Sequence, residues 1–237
     1  MAEKHWSDIP TGTIAYCSRE MDGYPGFAAC LARLAQKHPL AKIVQIITNN
    51  IAEGRNQAVL QAEGDWIWFI DVDMLFAADV LKRLLAHDVD LVQTLCLLRH
   101  PPHSPIMWTH DRTQRDEALS GRPRLVEVQS LGAGGTLYKR HVFEAIKGPW
   151  FEGVLGMEDT NFAAKCKAAG FKLHVDTSTP VTHLTPMGIR PVYDEVTGAW
   201  GVRYEAMNGQ SVTMMQESPI AQPDAPLPEF LRHVMSR

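Results

Sequence analysis

The 237 residues, 45% hydrophobic and 21% charged, suffice for one large domain with its own core, which excludes a disordered or collagen-like chain. Twenty-three Lys and Arg against 27 Asp and Glu leave a net charge of −4, so a globally basic nucleic-acid coat is excluded, though a local basic patch is not. Cys17, Cys30, Cys96 and Cys166 form no CxxC pair, residues 1–10 lack an apolar leader core, and no apolar stretch approaches the roughly 20 residues that span a bilayer. The expectation is a soluble cytoplasmic protein without disulfides.

Residues 12–17 (GTIAYC) are apolar and β-prone, and a Gly/Pro loop over 22–26 follows. The spacing of Phe27, Cys30, Leu31 and Leu34 predicts a helix over 27–37, stopped by Pro39. A second strand over 42–48 (KIVQIIT) leads to a second helix over 51–62, with Ala58, Val59 and Ala62 inward and Gly64 as its breaker. Residues 66–70 (WIWFI) form a continuous apolar run, as expected of a strand buried on both faces. A helix over 77–86 and a strand over 89–97 complete three alternations. The pattern predicts an α/β fold whose mostly parallel sheet is flanked by helices, with ligands bound beyond the carboxyl ends of the strands.

From 99 to 124 the pattern dissolves into four prolines, three histidines and five arginines, set against Asp111, Asp116 and Glu117; so long an irregular stretch is usually functional or mobile. Regularity resumes over 125–130, followed by a Gly-rich turn at 132–135, a strand over 136–138, helices over 141–146 and 160–169, and a strand over 171–175. Short strands at 192–193 and 202–204 flank a Thr197-Gly198 turn and suggest a hairpin. Residues 218–228 carry four prolines and read as an extended wrap. We therefore expect a main domain over 1–190, with 191–237 as a hairpin and proline-rich tail on the same domain.

Three constellations carry chemistry. Asp71 and Asp73 end the buried run WIWFIDVDM, and residues two apart on a strand share a side. Two adjacent carboxylates stay ionised only beside a cation or strong donors, and oxygen ligands suit Mg²⁺ or Mn²⁺. A solvated strand end is the plain alternative, but the apolar run before the pair makes an unused charge costly. Glu158 and Asp159 open an apolar helix, where acidic residues suit the dipole or could serve as a general base. His183 lies past a strand end, where it could complete a metal site, whereas His174 sits inside the strand as an ordinary structural histidine.

In this order and spacing the motifs resemble the GT-A glycosyltransferases, most closely the family-2-like group. The matching segments are Gly54-Arg55-Asn56, the run from Gly64-Asp65 to Asp71-Val72-Asp73, residues 132–138, Glu158-Asp159, Cys166 to Phe171, and Val175-Asp176 with His183. The resemblance spans about residues 12–185. It implies a GT-A fold and a metal-dependent transfer of sugar from a nucleotide-diphosphate sugar to an acceptor hydroxyl. By the same analogy a divalent metal, Mn²⁺ or Mg²⁺, is held by Asp71, Asp73 and His183, with Asp71 also near the ribose. Tyr16, Ser18, Arg19, Arg55 and Asn56 match positions around the nucleotide. Gly134 and Gly135 would let backbone approach the sugar or acceptor. Asp159 matches the base of inverting members, and Glu158 a residue orienting the acceptor or its loop; the same motifs also occur in retaining members, so the stereochemical outcome stays open.

Residues 99–124, with a charge of +2, Trp108, and His100, His103 and His110 in reserve, could hold an anionic acceptor. Compact phage enzymes that glycosylate a hydroxymethylated base in DNA fit that picture; a glycan acceptor and a flexible loop closing over the donor are the alternatives. A nucleotidyltransferase is disfavoured, because residues 18–26 hold one arginine and two acids where a basic Gly-rich loop belongs. A non-catalytic nucleotide-sugar-binding module would have little need for both Glu158-Asp159 and the Asp71, Asp73 and His183 set, and the P-loop and dinucleotide fingerprints are missing.

Overall fold

The computed structural model describes residues 11–19, 24–99, 103–108, 119, 121–153, 157–185, 187–206 and 210–216. In chain order, β1 (Gly12–Ser18), α1 (Pro25–Lys37), β2 (Lys42–Ile47), α2 (Ile51–Gln61) and β3 (Trp66–Phe69) come first. Then follow β4 (Met74–Leu75), α3 (Val80–Ala86), β5 (Leu91–Leu95), β6 (Met107–Trp108), β7 (Leu125–Val128), β8 (Ser130–Leu131) and β9 (Thr136–Lys139). The remaining elements are α4 (Arg140–Ala145), α5 (Glu158–Ala168), β10 (Leu173–Pro180), β11 (Thr182–Leu184), β12 (Met187–Asp194), β13 (Ala199–Ala206) and β14 (Ser211–Gln216).

Local chemistry sets the helix starts. Pro25 occupies the first turn of α1, where its missing N–H costs nothing. Asn50 caps α2, its side chain accepting from the Glu53 amide at 3.3 Å. The third helix begins at Val80, three residues later than its apolar pattern suggests, and α5 begins at Glu158, two residues earlier. That earlier start puts Glu158 and Asp159 in the first turn, where the helix dipole favours them.

The main sheet has seven strands in the order β2-β1-β3-β9-β5-β10-β7. Five strands run one way, while β9 and β7 run antiparallel to their neighbours. All four residues of β3 are buried. Trp66 and Trp68 face a cluster with Ile14, Phe27, Leu34 and Leu81, and Ile67 and Phe69 face the opposite cluster with Ala58, Tyr138 and Phe162. Two apolar faces on one strand explain the unbroken run WIWFI. Removing either wholly buried aromatic, Trp68 or Phe69, would cost about 3–5 kcal/mol.

A second, antiparallel sheet of order β14-β13-β12-β11-β4 lies beside the first. The hairpin anticipated at Thr197-Gly198 exists, but β12 and β13 each have eight residues. Gly188, Pro191 and Gly201 interrupt the alternation that would have revealed this length. Among the described residues strands thus occupy 187–194, 199–206 and 211–216, and the proline-rich tail lies outside the described residues.

β10 is the hinge between the sheets. It pairs with β5 up to Asp176, then its register shifts before Pro180. The chain leaves the first sheet and enters β11, which pairs with β4 directly behind the DVD motif. Among the described residues no helix is long and apolar enough to cross a membrane.

Candidate active site

Beyond the carboxyl ends of β1 and β3 opens a cleft of about 950 Å³, whose lining includes Arg19, Arg55, Asp71, Asp73, Glu158, Asp159 and His183. Chain segments far apart in sequence thus meet at the sheet edge where the open-sheet rule places ligands.

Arg55 is the hub. It projects from α2 and is only 4% exposed. One end of its guanidinium donates to Glu158 Oε1 at 2.6 Å, and the other to Asp71 Oδ1 at 3.0 Å. Its plane lies 5.8 Å from the centre of the Phe151 ring. Only a planar, forked cation can span two carboxylates in this way. Burial opposes its charge, but Asp71, Asp159 and Glu158 together hold its pKa above the ordinary value. Glu158, 6% exposed, is thereby committed to Arg55, so its orienting influence passes through that residue.

Asp73 lies at the second focus. The pairing of Met74 with His183, and a hydrogen bond from the Leu184 amide to the Asp73 carbonyl at 2.7 Å, fix the two side chains side by side. His183 Nδ1 lies 2.8 Å from the Leu97 carbonyl, which fixes a proton on that nitrogen, and Nε2 faces Asp73 Oδ2 at 3.5 Å. That orientation, with a carbonyl behind the ring, is how histidine is presented to a metal. Burial opposes a charged imidazole, but Asp73, Cys96 and the Leu97 carbonyl hold the His183 pKa up to about 10. Burial would raise the Asp73 carboxyl, yet His183 and Arg99 outweigh it and keep it below its ordinary value. Arg99 Nη1 reaches the same Oδ2 at 3.0 Å.

The fit to a divalent ion is therefore one carboxylate and one imidazole. Among the described residues no group of three or more His, Cys, Asp and Glu side chains could hold one alone. Asp71 is turned toward Arg55, and its other oxygen would lie 2.3 Å from a Cβ at Gly134. Any remaining ligands would have to come from outside these side chains.

Asp159 opens the third focus. Its carboxylate accepts from the Ala133 amide at 3.3 Å and the Thr160 amide at 2.7 Å. Burial pushes its pKa up; Arg55 counteracts this and Glu158 reinforces it, leaving the group above its ordinary value of 3.8. Behind it stands Gln93, 1% exposed on β5. Its amide accepts from the Gly132 N–H at 2.7 Å and donates to the Ile106 carbonyl at 2.7 Å. Gln93 thus ties the turn that serves Asp159 to the segment leading into Trp108. The sequence reading missed it; the signal was a lone amide in the buried strand LVQTL.

The other anticipated residues have different surroundings. Tyr16 stacks edge-on with Phe27 at 5.1 Å, and Ser18, 5% exposed, accepts from Gln45; neither lines the cleft. Asn56 donates to the Phe151 carbonyl at 2.6 Å and accepts from the Trp150 and Phe151 amides. Its amide holds the loop whose Phe151 ring supports Arg55, and it too is absent from the cleft lining. Gly134 closely approaches Asp71. Gly135 has φ of +89°, donates to the Phe69 carbonyl, and would set a Cβ 2.2 Å from Thr94 Oγ1; it seats β9 between β3 and β5.

Of the 99–124 stretch, Arg99, Ile106 and Trp108 line the cleft. His103 is 3% exposed, bonded to the Leu98 carbonyl at 3.0 Å and packed on Tyr204, a structural role. His100, His110, Asp111, Asp116 and Glu117 lie outside the described residues, as does Gly156 before the Glu158-Asp159 pair.

Comparison with known proteins bears on the fold and the family. Among solved structures, A197 from STIV matches with a TM-score of 0.56 at 17% identity, covering 92% of this chain and 99% of that one. The structure of S. aureus TarS 1-349 in complex with UDP-GlcNAc matches with a TM-score of 0.48 at 17% identity, over 72% of this chain and 57% of that one. No curated protein matches in sequence. The fold is the mixed, mostly parallel GT-A type. The model of glycosyl transferase family 2 matches residues 21–146, just over half of the chain, and the chain belongs to that family.

Proposed function

We propose that the chain is a metal-dependent transferase that moves a sugar from a nucleotide-diphosphate sugar to an acceptor hydroxyl with inversion. The observation that supports it is that Asp73, His183 and Asp159 line one cleft, with Arg55 bonded to Asp71 and Glu158 beside them. Asp73 and His183 would hold the divalent ion, and the imidazole in the pair favours Mn²⁺ over Mg²⁺. When bound, that ion supplies Lewis-acid stabilisation of the departing diphosphate.

The protein's own residues account for the rest. Asp159, half-buried, with a raised pKa and only a shared cation near it, accepts the proton of the acceptor hydroxyl as that oxygen attacks the anomeric carbon. The bond from the anomeric carbon to the diphosphate breaks, and its electrons leave with the nucleoside diphosphate. Arg55 keeps Glu158 and Asp71 apart from this chemistry by engaging both. Arg19 lies on the lining and serves the nucleotide end. Ile106 and Trp108 offer an apolar flank to the acceptor, a glycan or a hydroxymethylated base in DNA. Four free thiols fit a cytoplasmic donor pool.

The test is a calorimetric titration with UDP, GDP, ADP, dTDP and CDP, with and without Mn²⁺. We expect one member to bind tightly only with metal, and Asp73→Asn to lose that binding. No binding by any member with metal present would overturn the donor site. A mobility-shift titration with single- and double-stranded DNA then separates the acceptors: salt-sensitive binding supports DNA, and its absence at micromolar protein removes it.

A further inference from the structure

We propose that Arg99 is a diphosphate-binding residue held in reserve on Asp73, and that metal loading transfers it from the carboxylate to the donor's diphosphate. The inference rests on the metal-dependent reading above. Its starting point is a conflict over a single atom. Asp73 Oδ2 takes Arg99 Nη1 at 3.0 Å and faces His183 Nε2 at 3.5 Å. A divalent ion shared by Asp73 and His183 needs that oxygen, and a guanidinium and a metal repel each other across it.

The surroundings decide which group gives way. The backbone before Arg99 is pinned: the Leu98 amide donates to the Ser104 carbonyl at 2.9 Å, His103 Nδ1 bonds the Leu98 carbonyl, and Leu97 bridges to Pro105. Asp73 is fixed through Leu184. The Arg99 side chain, by contrast, is 52% exposed, and so can swing on its flexible stem. The neighbouring acids give it little to move to. Asp71 and Glu158 are engaged by Arg55, and Asp159 is served by two amides. The strongest unpaired anion near a newly bound metal is the diphosphate that arrives with it, which a guanidinium recognises with paired hydrogen bonds.

The contrast with Arg55 sharpens the assignment. Both are arginines on carboxylates at the same edge, but Arg55 is 4% exposed and locked between two acids. It cannot be handed on. Without the ion, Arg99 shares with His183 the task of offsetting a carboxylate that is only 12% exposed, and of the two only the arginine is free to leave once the metal takes over that task.

Arg99→Gln tests this with two binding measurements that need no turnover. In the first, Mn²⁺ alone is titrated and read by electron paramagnetic resonance. The variant should bind Mn²⁺ roughly two- to fivefold more tightly, because a half-exposed ion pair of ordinary strength no longer competes. In the second, the nucleoside diphosphate retained from the panel is titrated at saturating Mn²⁺. The variant should bind it roughly tenfold or more weakly, having lost a charge-assisted hydrogen bond. Changes of opposite sign are the signature. Unchanged or weaker Mn²⁺ affinity would overturn the competition, and unchanged nucleotide affinity would overturn the transfer. Equal nucleotide binding by wild type with and without Mn²⁺, lost in Arg99→Gln, would make Arg99 a permanent substitute for the metal and also defeat the proposal. If neither protein binds Mn²⁺ and nucleotide binds without it, the metal reading itself fails; if both bind Mn²⁺ equally, the competition fails and the metal reading stands.

Discussion

Two carboxylates, the buried Asp176 and the half-buried Asp159, both lose hydration on folding, and their acidities move in opposite directions. Asp176, at the bulge of β10, is 1% exposed. It accepts from the Ser178 amide at 2.8 Å, the Ser178 hydroxyl at 2.6 Å, the Thr179 hydroxyl at 2.5 Å and His87 at 3.0 Å. Burial alone would raise its pKa; the hydroxyls and His87 outweigh burial and hold it below 3.8. Asp159 has two amides, one of them at 3.3 Å, and its nearest cation is already shared by Glu158 and Asp71. A carboxylate whose oxygens are fully served fixes the chain, whereas one left short of donors retains an appetite for a proton.

The largest expected effect comes from removing that appetite. Asp159→Asn should lower transfer by roughly 10²–10⁴-fold, the usual contribution of a general base, with no fall in melting temperature and nucleotide binding intact. Retained activity would put the base elsewhere. Next is Arg55→Gln, which strands the buried Glu158; breaking such a pair costs about 3–5 kcal/mol, read by urea denaturation. Arg55→Lys should not rescue it, because a single ammonium cannot span both carboxylates.

Asp176→Asn should cost about 1–3 kcal/mol through its orphaned donors, while leaving the pH profile of transfer where it was. The sign follows from the lowered folded pKa: the stabilisation is complete above about 3.8 and fades as pH falls through the lowered value. Wild type and variant should therefore converge in acid, which a series of thermal melts would reveal. The smallest effect sharpens the contrast most. The acid limb of kcat should lie above 3.8, because burial raises Asp159, and Glu158→Gln should move it toward acid by removing a like charge and leaving Arg55 less occupied. A limb that stays put in Glu158→Gln would separate it from Asp159.

Much of the main sheet was legible in sequence, because helical and strand periods differ and a strand buried on both faces loses its alternation. The DVD pair, the Glu158-Asp159 pair and His183 were legible as motifs, and they share one cleft. What could not be read is who holds whom. Asn56 looked like a nucleotide neighbour, yet its amide is spent on the Trp150 and Phe151 backbone, a partnership across more than ninety residues that no local pattern encodes. Gly134 looked like room for a sugar, and its close neighbour is the Asp71 carboxylate. Gln93 was hidden because one amide in an apolar strand has no periodicity. The second sheet was read too short because its glycines and proline blur a two-residue alternation, and β4, only two residues long, gives no pattern at all.

The pairing of β4 with β11 also has a consequence in time. Asp73 and His183 are 110 residues apart in the chain. At a synthesis rate of roughly 5–20 residues per second, the DVD motif waits on the order of 5–20 s on the ribosome for its histidine. Through that interval the nascent chain carries its acidic pair and its arginines without the strand that aligns Asp73. The alignment of Asp73 with His183 therefore arrives late, when β11 docks on β4.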